Sequence, residues 1–187
     1  CGTMISPTKR LQINSFFSLQ KIDVNLSDSS SINSFKTDGF HRTDGELAKR
    51  KNAEREMYGG NIKWKEKKWS IGITGVYYKY NHLLTPNSQP YNIFRTRNRA
   101  DNYNASVDYK IKIRNVQLCG EYAKSADGGF ATVNHARIHA NSRMSFSLVQ
   151  RQYTPDYNAD FSNAFGENSR NQNERGVFIG ADLLPYP

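Results

Sequence analysis

The sequence predicts an all-β protein: an antiparallel meander of about eight strands, part or whole of a transmembrane β-barrel, with a short helix in one long loop. Three observations carry this. Apolar and polar residues alternate over runs longer than soluble strands need. The connections between those runs alternate between short and long, as in barrels with tight turns at one end and extended loops at the other. Aromatic residues make up 12% of the chain, with 11 Tyr and 10 Phe, a composition that suits strands better than helices.

Composition bounds the alternatives. A chain of 187 residues is the size of a single domain, so residues 1–187 read as one β-barrel region. The hydrophobic fraction is 37% and the mean hydropathy is -0.76. No run approaches the roughly 18 apolar residues of a membrane helix. Barrel strands escape that exclusion, because alternate side chains face lipid and lumen and their average hydropathy looks soluble. The net charge of +9 raises nucleic acid as a partner. Here Lys and Arg are scattered through turns, loops and alternating strand positions, so a solvated surface is the reading. Cys1 and Cys119 form no Cys-x-x-Cys pair and have no metal-like spacing. The first ten residues lack the apolar core of a signal peptide. The expectation is therefore an internal fragment of a longer chain, with Cys1 at the cut; a lipidated first residue is the other reading of Cys1-Gly2.

Along the chain, Thr43-Asp44-Gly45-Glu46 has the spacing of a capping box, and Glu46 to Met57 is rich in helix formers before Gly59-Gly60. A short helix inside the first long loop, 25–57, is expected. Asn61 to Lys65 and Trp69 to Tyr80 read as strands joined by Glu66-Lys67-Lys68, with Trp69, Ile71, Ile73 and Tyr77 on the apolar face. The clearest strand is 103–113. Tyr103, Ala105, Val107, Tyr109, Ile111 and Ile113 alternate with Asn104, Ser106, Asp108, Lys110 and Lys112, a length close to the roughly 9–11 residues a tilted strand needs to cross a bilayer. After Arg114-Asn115, Val116, Leu118, Gly120 and Tyr122 share one face while Gln117, Cys119, Glu121 and Ala123 share the other. A third hairpin pairs about 130–140 with 144–153, turning at Asn141-Ser142-Arg143. Its first strand alternates least well, since Val133 and Ile138 fall on opposite faces. Loops 25–57, 81–100 and 154–175 are long, and Ser125 to Gly129 is intermediate.

Lumen-facing polar candidates follow from the same alternation: Asp108, Lys110, Lys112 and Glu121. Trp64, Trp69, Tyr103, Tyr122 and Tyr153 sit near strand ends, where interfacial aromatic girdles lie. No catalytic constellation stands out, and no cofactor or small-molecule ligand is expected. His135 and His139, if on a strand, stand about 13 Å apart, too far to share a metal ion. Asp127-Gly128-Gly129 reads as a loop, since no helix beginning with Lys and Ser or Thr follows it.

Two groups of residues resemble a known family. One is Gly39-Phe40-His41-Arg42-Thr43 with Glu46, Lys49 to Asn52 and Gly59-Gly60-Asn61-Ile62. The other is Gln150-Arg151 with Tyr153, Tyr157, Phe161-Ser162, Phe165, Gln172-Asn173-Glu174-x-Gly176 and Gly180. Together they resemble Gram-negative proteins that carry a competence-type helix-hairpin-helix region followed by a C-terminal outer-membrane barrel. The resemblance covers roughly residues 11 to 183 and implies an internal part of that barrel. Its lipid-facing partner would be the outer membrane and its lateral partner the remainder of the parent chain. Any DNA contact of the family would belong to the helix-hairpin-helix part, for which no signal is found here. The ending Leu184-Pro185-Tyr186-Pro187 lacks a terminal aromatic strand, so a truncation is expected.

The expected function is thus an outer-membrane barrel segment with a structural or transport-related role and no catalysis. A second reading is a soluble up-and-down β-barrel that binds a small ligand. It requires an apolar interior and a polar exterior, the reverse of a membrane barrel. A third is a basic nucleic-acid-binding β protein, which needs aromatics and cations on one shared face; in the clearest strands they lie on opposite faces.

Overall fold

A computed structural model describes residues 1–27, 30–86, 99–167 and 171–184. Most of the expected loop 81–100, and the terminal Pro185-Tyr186-Pro187, lie outside the described residues. Among those described, 66% are strand and 2% helix, in one antiparallel meander that does not close on itself. The chain is all-β.

Eleven strands are described, against about eight expected. They are β1 (Gly2–Ile5), β2 (Leu11–Ile22), β3 (Val24–Ser27), β4 (Ser31–Phe35), β5 (Ala53–Lys65), β6 (Trp69–Leu84), β7 (Arg99–Ile113), β8 (Val116–Ser125), β9 (Phe130–Asn141), β10 (Met144–Tyr153) and β11 (Glu174–Leu183). The meander runs β1-β2-β5-β6-β7-β8-β9-β10-β11. The extra pieces are the short β1 and the hairpin β3–β4, which occupies part of the loop read as 25–57. β4 adds to β6 in parallel at Ser31–Leu83 and Ile32–Leu84, beyond the Arg55–Tyr80 pair where β5 ends its ladder with β6, while Leu84 still pairs with Arg99 of β7 after an irregularity.

The expected helix is much shorter than its helix formers suggested. α1 spans Asp44–Leu47, with Thr43 and Glu46 closing a reciprocal capping box and two acids in its first turn, which favours the positive end of the helix dipole. From Ala53 onward the chain is strand, paired on both sides with β2 and β6. Ladder pairing on two edges outweighs a per-residue helix preference of a few tenths of a kcal/mol.

Three of the four short turns have a local cause. Thr8 Oγ1 accepts from the N–H groups of Arg10 and Leu11 between β1 and β2. Arg114 takes a φ of 48°, the left-handed region that a two-residue hairpin turn asks of its first central residue. Asn141 Oδ1 accepts from Arg143 N at 2.9 Å and shapes the β9–β10 turn. These turns and Glu66-Lys67-Lys68 stand at one end of the sheet. The other end carries the connections 23–52, 85–98, 126–129 and 154–173, so the expected segregation of short and long connections holds except at the four-residue 126–129.

Registers place every side chain on one of two faces. One row reads Ile13, Ile62, Ile73, Val107, Tyr122 and Thr132 across β2, β5, β6, β7, β8 and β9. The row two residues towards the long loops in β2 reads Ser15, Gly60, Gly75, Ala105 and Lys124. The whole of this face is apolar over most of its area, and it is exposed: Ile62 is 54%, Ile73 60% and Ile179 76% accessible. The opposite face holds the buried residues, among them Tyr78, Tyr80, Asn102, Ser125, Arg151 and Tyr153. Two small cores lie there, one around Val24, Ile32, Ala53, Tyr78, Tyr80 and Leu84, the other around Ala123, Ala131, Tyr153 and Tyr157. Both sit at the long-loop end, the first formed with Val24 and Ile32 of the hairpin β3–β4 and the second with Tyr157, which follows β10.

Candidate functional site

The polar face is where chemistry-bearing residues gather, so it is the candidate site. Asp108, Lys110, Lys112 and Glu121 all occupy it, as the alternation predicted: Asp108 pairs with Glu121, Lys110 with Cys119 and Lys112 with Gln117. Two carboxylates directly opposite one another repel. Asp108 is drawn the other way, to Lys63 Nζ at 2.7 Å. The strand between them places Gly72 in the same row, and a Cβ there would collide with the Asp108 carboxylate. The missing side chain opens the path across β6.

The same device recurs. Phe16 lies over Gly59, Tyr109 over Gly120 and Arg151 against Gly176, each a cross-strand pair. Arg151 is buried, with its side chain 6% exposed, and it bonds Glu174 of β11 and, at 2.6 Å, Glu167 of the connection. Its guanidinium also lies 5.1 Å from the centre of the Phe165 ring. A buried charge is tolerated when paired and hydrogen-bonded, and Arg151 is both.

Residues 154–167 leave β10 and cross the polar face. Asn158 accepts from Asn104 Nδ2 at 2.9 Å and donates its N–H to Ser125 Oγ. Further across, Asp160 Oδ2 accepts from Tyr78 Oη at 3.0 Å, and the same Oη accepts from the buried Asn102 Nδ2 at 2.8 Å. Phe161 meets Tyr78 edge-on at 4.9 Å and lies beneath the Arg55 guanidinium at 4.6 Å. A segment leaving β10 thus reaches side chains of β5, β6 and β7. Its entry needs Gly129, where a Cβ would strike the backbone of Asp156 and Tyr157. Burial, with the negative charge of Glu121 and the neighbouring Tyr153, pushes the Tyr157 hydroxyl up to about 12, so it stays protonated at neutral pH.

A cavity of about 520 Å³ remains between this segment, the end of β2 and the β4 side of the hairpin, lined by Gln20, Lys21, Asp23, Lys36, Arg55, Tyr80, Asp160 and Phe161 among others. Asp23 is already engaged: its carboxylate accepts from Lys51 N and lies 2.7 Å from His41 Nε2. The Lys51 N–H, with the His41 bond and the charge of Lys36, outweighs its partial burial and lowers its pKa below the usual carboxylate range. Lys36 in turn holds Asp38 at 2.6 Å.

Trp64, Trp69, Tyr103 and Tyr122 lie on the exposed apolar face. Trp64 and Trp69 stand at the short-turn end. At the other end Phe17, Tyr58, Tyr77 and Tyr103 occupy one row across four strands, with Tyr122 stacked on Phe130. Tyr153 corrects the expectation. It belongs to the opposite face, is 3% exposed and donates to Phe165 O at 2.7 Å. Proximity to a strand end carries no information on face, and the parity of β10 puts Tyr153 with Arg151. His135 and His139 share β9; His135 Nδ1 lies 3.7 Å from Cys119 Sγ.

Sequence reasoning missed three things: Arg151 as a buried charge, the crossing segment and the amides on the apolar face. On that face Tyr109 Oη donates to Asn134 Oδ1, and Asn134 Nδ2 donates to Gln150 and Thr132. Only the poor alternation of 130–140 signalled this last feature. The fold and the polar face together define an open antiparallel meander with an exposed apolar face and a polar face crossed by its own connection. Compared with known proteins, the chain matches no family model, no curated protein and no solved structure.

Proposed function

We propose that this chain forms a stretch of outer-membrane β-barrel wall, with a structural or transport-related role and no catalysis. One observation carries the reading: the apolar face is the exposed face, and the residues buried by the protein's own packing lie on the polar face. A soluble protein arranged this way leaves a large contiguous apolar surface in water, which monomeric soluble proteins avoid. In a bilayer the same face meets hydrocarbon. β5, β6 and β7, of 13, 16 and 15 residues, exceed the roughly 9–11 a tilted strand needs to cross. Aromatics near both ends of the apolar face fit the two interfaces.

In this reading the short turns lie at the periplasmic side and the crossing segment fills the lumen near the surface loops. The outer edges of β1 and β11 take further strands, since an open edge has no place in hydrocarbon. The family with a helix-hairpin-helix region followed by an outer-membrane barrel supplies a natural parent. The soluble up-and-down ligand-binding barrel requires the opposite sidedness and is the weaker reading. Nucleic-acid binding is weaker again, because along β7 Tyr103 and Tyr109 lie on the apolar face while Lys110 and Lys112 lie on the other.

The test is where the full-length parent partitions. Recovery in detergent-extracted outer membrane, with migration on a gel that changes on heating, is the expected result. A soluble, monomeric protein overturns the proposal.

A further inference from the structure

The short-turn end differs in charge from the long-loop end. Lys9 and Arg10 lie between β1 and β2, Lys67 and Lys68 between β5 and β6, Arg114 between β7 and β8, and Arg143 between β9 and β10. Each of the four short turns therefore contributes at least one cation, and all six side chains belong to exposed residues. Glu66 is the single acid in those turns, and Arg10 engages it at 3.2 Å. The described connections at the other end mix the signs, with Asp23, Asp38, Asp44, Glu46 and Glu167 beside Lys36, Arg42 and Lys49 to Lys51.

Position adds to charge. Trp64 and Trp69, on the apolar face, flank the turn that carries Lys67 and Lys68, so the cations begin where the apolar face ends. A polar-tipped aromatic marks the headgroup level of a bilayer, and a cation just beyond it meets the phosphate layer. Resting on the membrane reading above, we infer that the short-turn rim is a binding surface for anionic phospholipid headgroups, with the Lys and Arg of successive turns each facing phosphates of the adjacent leaflet. Lysine and arginine near an anionic leaflet act additively and are screened within a Debye length, so the rim works as a ring of independent contacts, without a built pocket.

The experiment refolds the full chain into vesicles of phosphatidylcholine alone and of phosphatidylcholine mixed with phosphatidylglycerol. Insertion is read by flotation and by heat-dependent migration, at low and high salt. The wild-type chain is expected to insert into both, with a gain in the anionic vesicles that disappears at high salt. The K9Q/K67Q/K68Q/R143Q variant is expected to insert into neutral vesicles as the wild type does and to lose that gain, on the order of fivefold per neutralised side chain. Equal insertion of the wild type into both vesicles, or an unreduced gain in the variant, overturns the inference and leaves the barrel standing. Insertion into neither overturns the membrane reading and this inference with it.

Discussion

Asp108 of β7 reaches Lys63 of β5 across Gly72 of the intervening β6, its Oδ2 2.7 Å from Nζ. The three residues share one cross-strand row, and the glycine is what lets a carboxylate skip a strand. The consequence is that Asp108 leans away from Glu121, its like-charged neighbour on β8.

A branched side chain at Gly72 should therefore act electrostatically as well as sterically. Gly72→Val is expected to cost about 1–3 kcal/mol, from overpacking and loss of a partly shielded ion pair. Urea midpoints of the refolded protein would show it. In the Gly72→Val background, Asp108→Asn should add almost nothing, because the pair is already broken. Full additivity of the two changes would show that the glycine serves some other purpose.

Arg151 makes a sharper case, since it is buried with Glu174 and tied to the exposed Glu167. Arg151→Ala leaves Glu174 buried without its cation, a change that typically costs about 3–5 kcal/mol. Before global unfolding, the 154–167 segment should become cleavable by added protease, because one of its anchors is gone. Unchanged cleavage kinetics would assign the segment's position to its other contacts, with Tyr78, Asn104, Ser125 and Tyr153.

The sidedness of the sheet can be tested with one residue type on two faces. Ile73→Arg places a charge in the middle of the apolar face and should cost about 2–4 kcal/mol of folding free energy in bilayers. Ser106→Arg, on the polar face one residue before the cross-strand partner of Ile73, should cost far less. Equal effects, or better solubility from Ile73→Arg without loss of fold, would count against a lipid-facing role.

The Asp23 carboxylate links β2 to the segment containing α1, through Lys51 N and His41. Its pKa is lowered, chiefly by the Lys51 N–H. The sign follows: a depressed carboxylate stabilises the fold above its unfolded pKa, and that contribution fades as pH falls through the lower, folded value. Acidification should thus free residues 36–52 for cleavage by pepsin while the strands stay protected. Asp23→Asn should show the freed pattern throughout the acid range in which pepsin cuts. A wild-type segment equally protected throughout would place the restraint elsewhere.

What the sequence determined by itself was local. Alternation in 103–113 and 116–123 marks strands because successive side chains on a strand diverge by half a turn. Arg114-Asn115 and Glu66-Lys67-Lys68 mark turns, and Thr43 with Glu46 marks a helix start, because those signals involve residues within a few positions of each other. The same alternation put Asp108, Lys110, Lys112 and Glu121 on one face. It could not say which face is buried, since a period of two sorts residues into sets and is blind to inside and outside. Tertiary structure decided that. It turned 53–57 from helix formers into strand by pairing both edges, and it set Tyr153 beside Arg151. It also brought Asp160 to Tyr78 and Gly72 under Asp108, contacts between residues far apart in sequence. Those depend on cross-strand register, which emerges only when distant strands align and the cost of closing the intervening loops is met by the ladder they form.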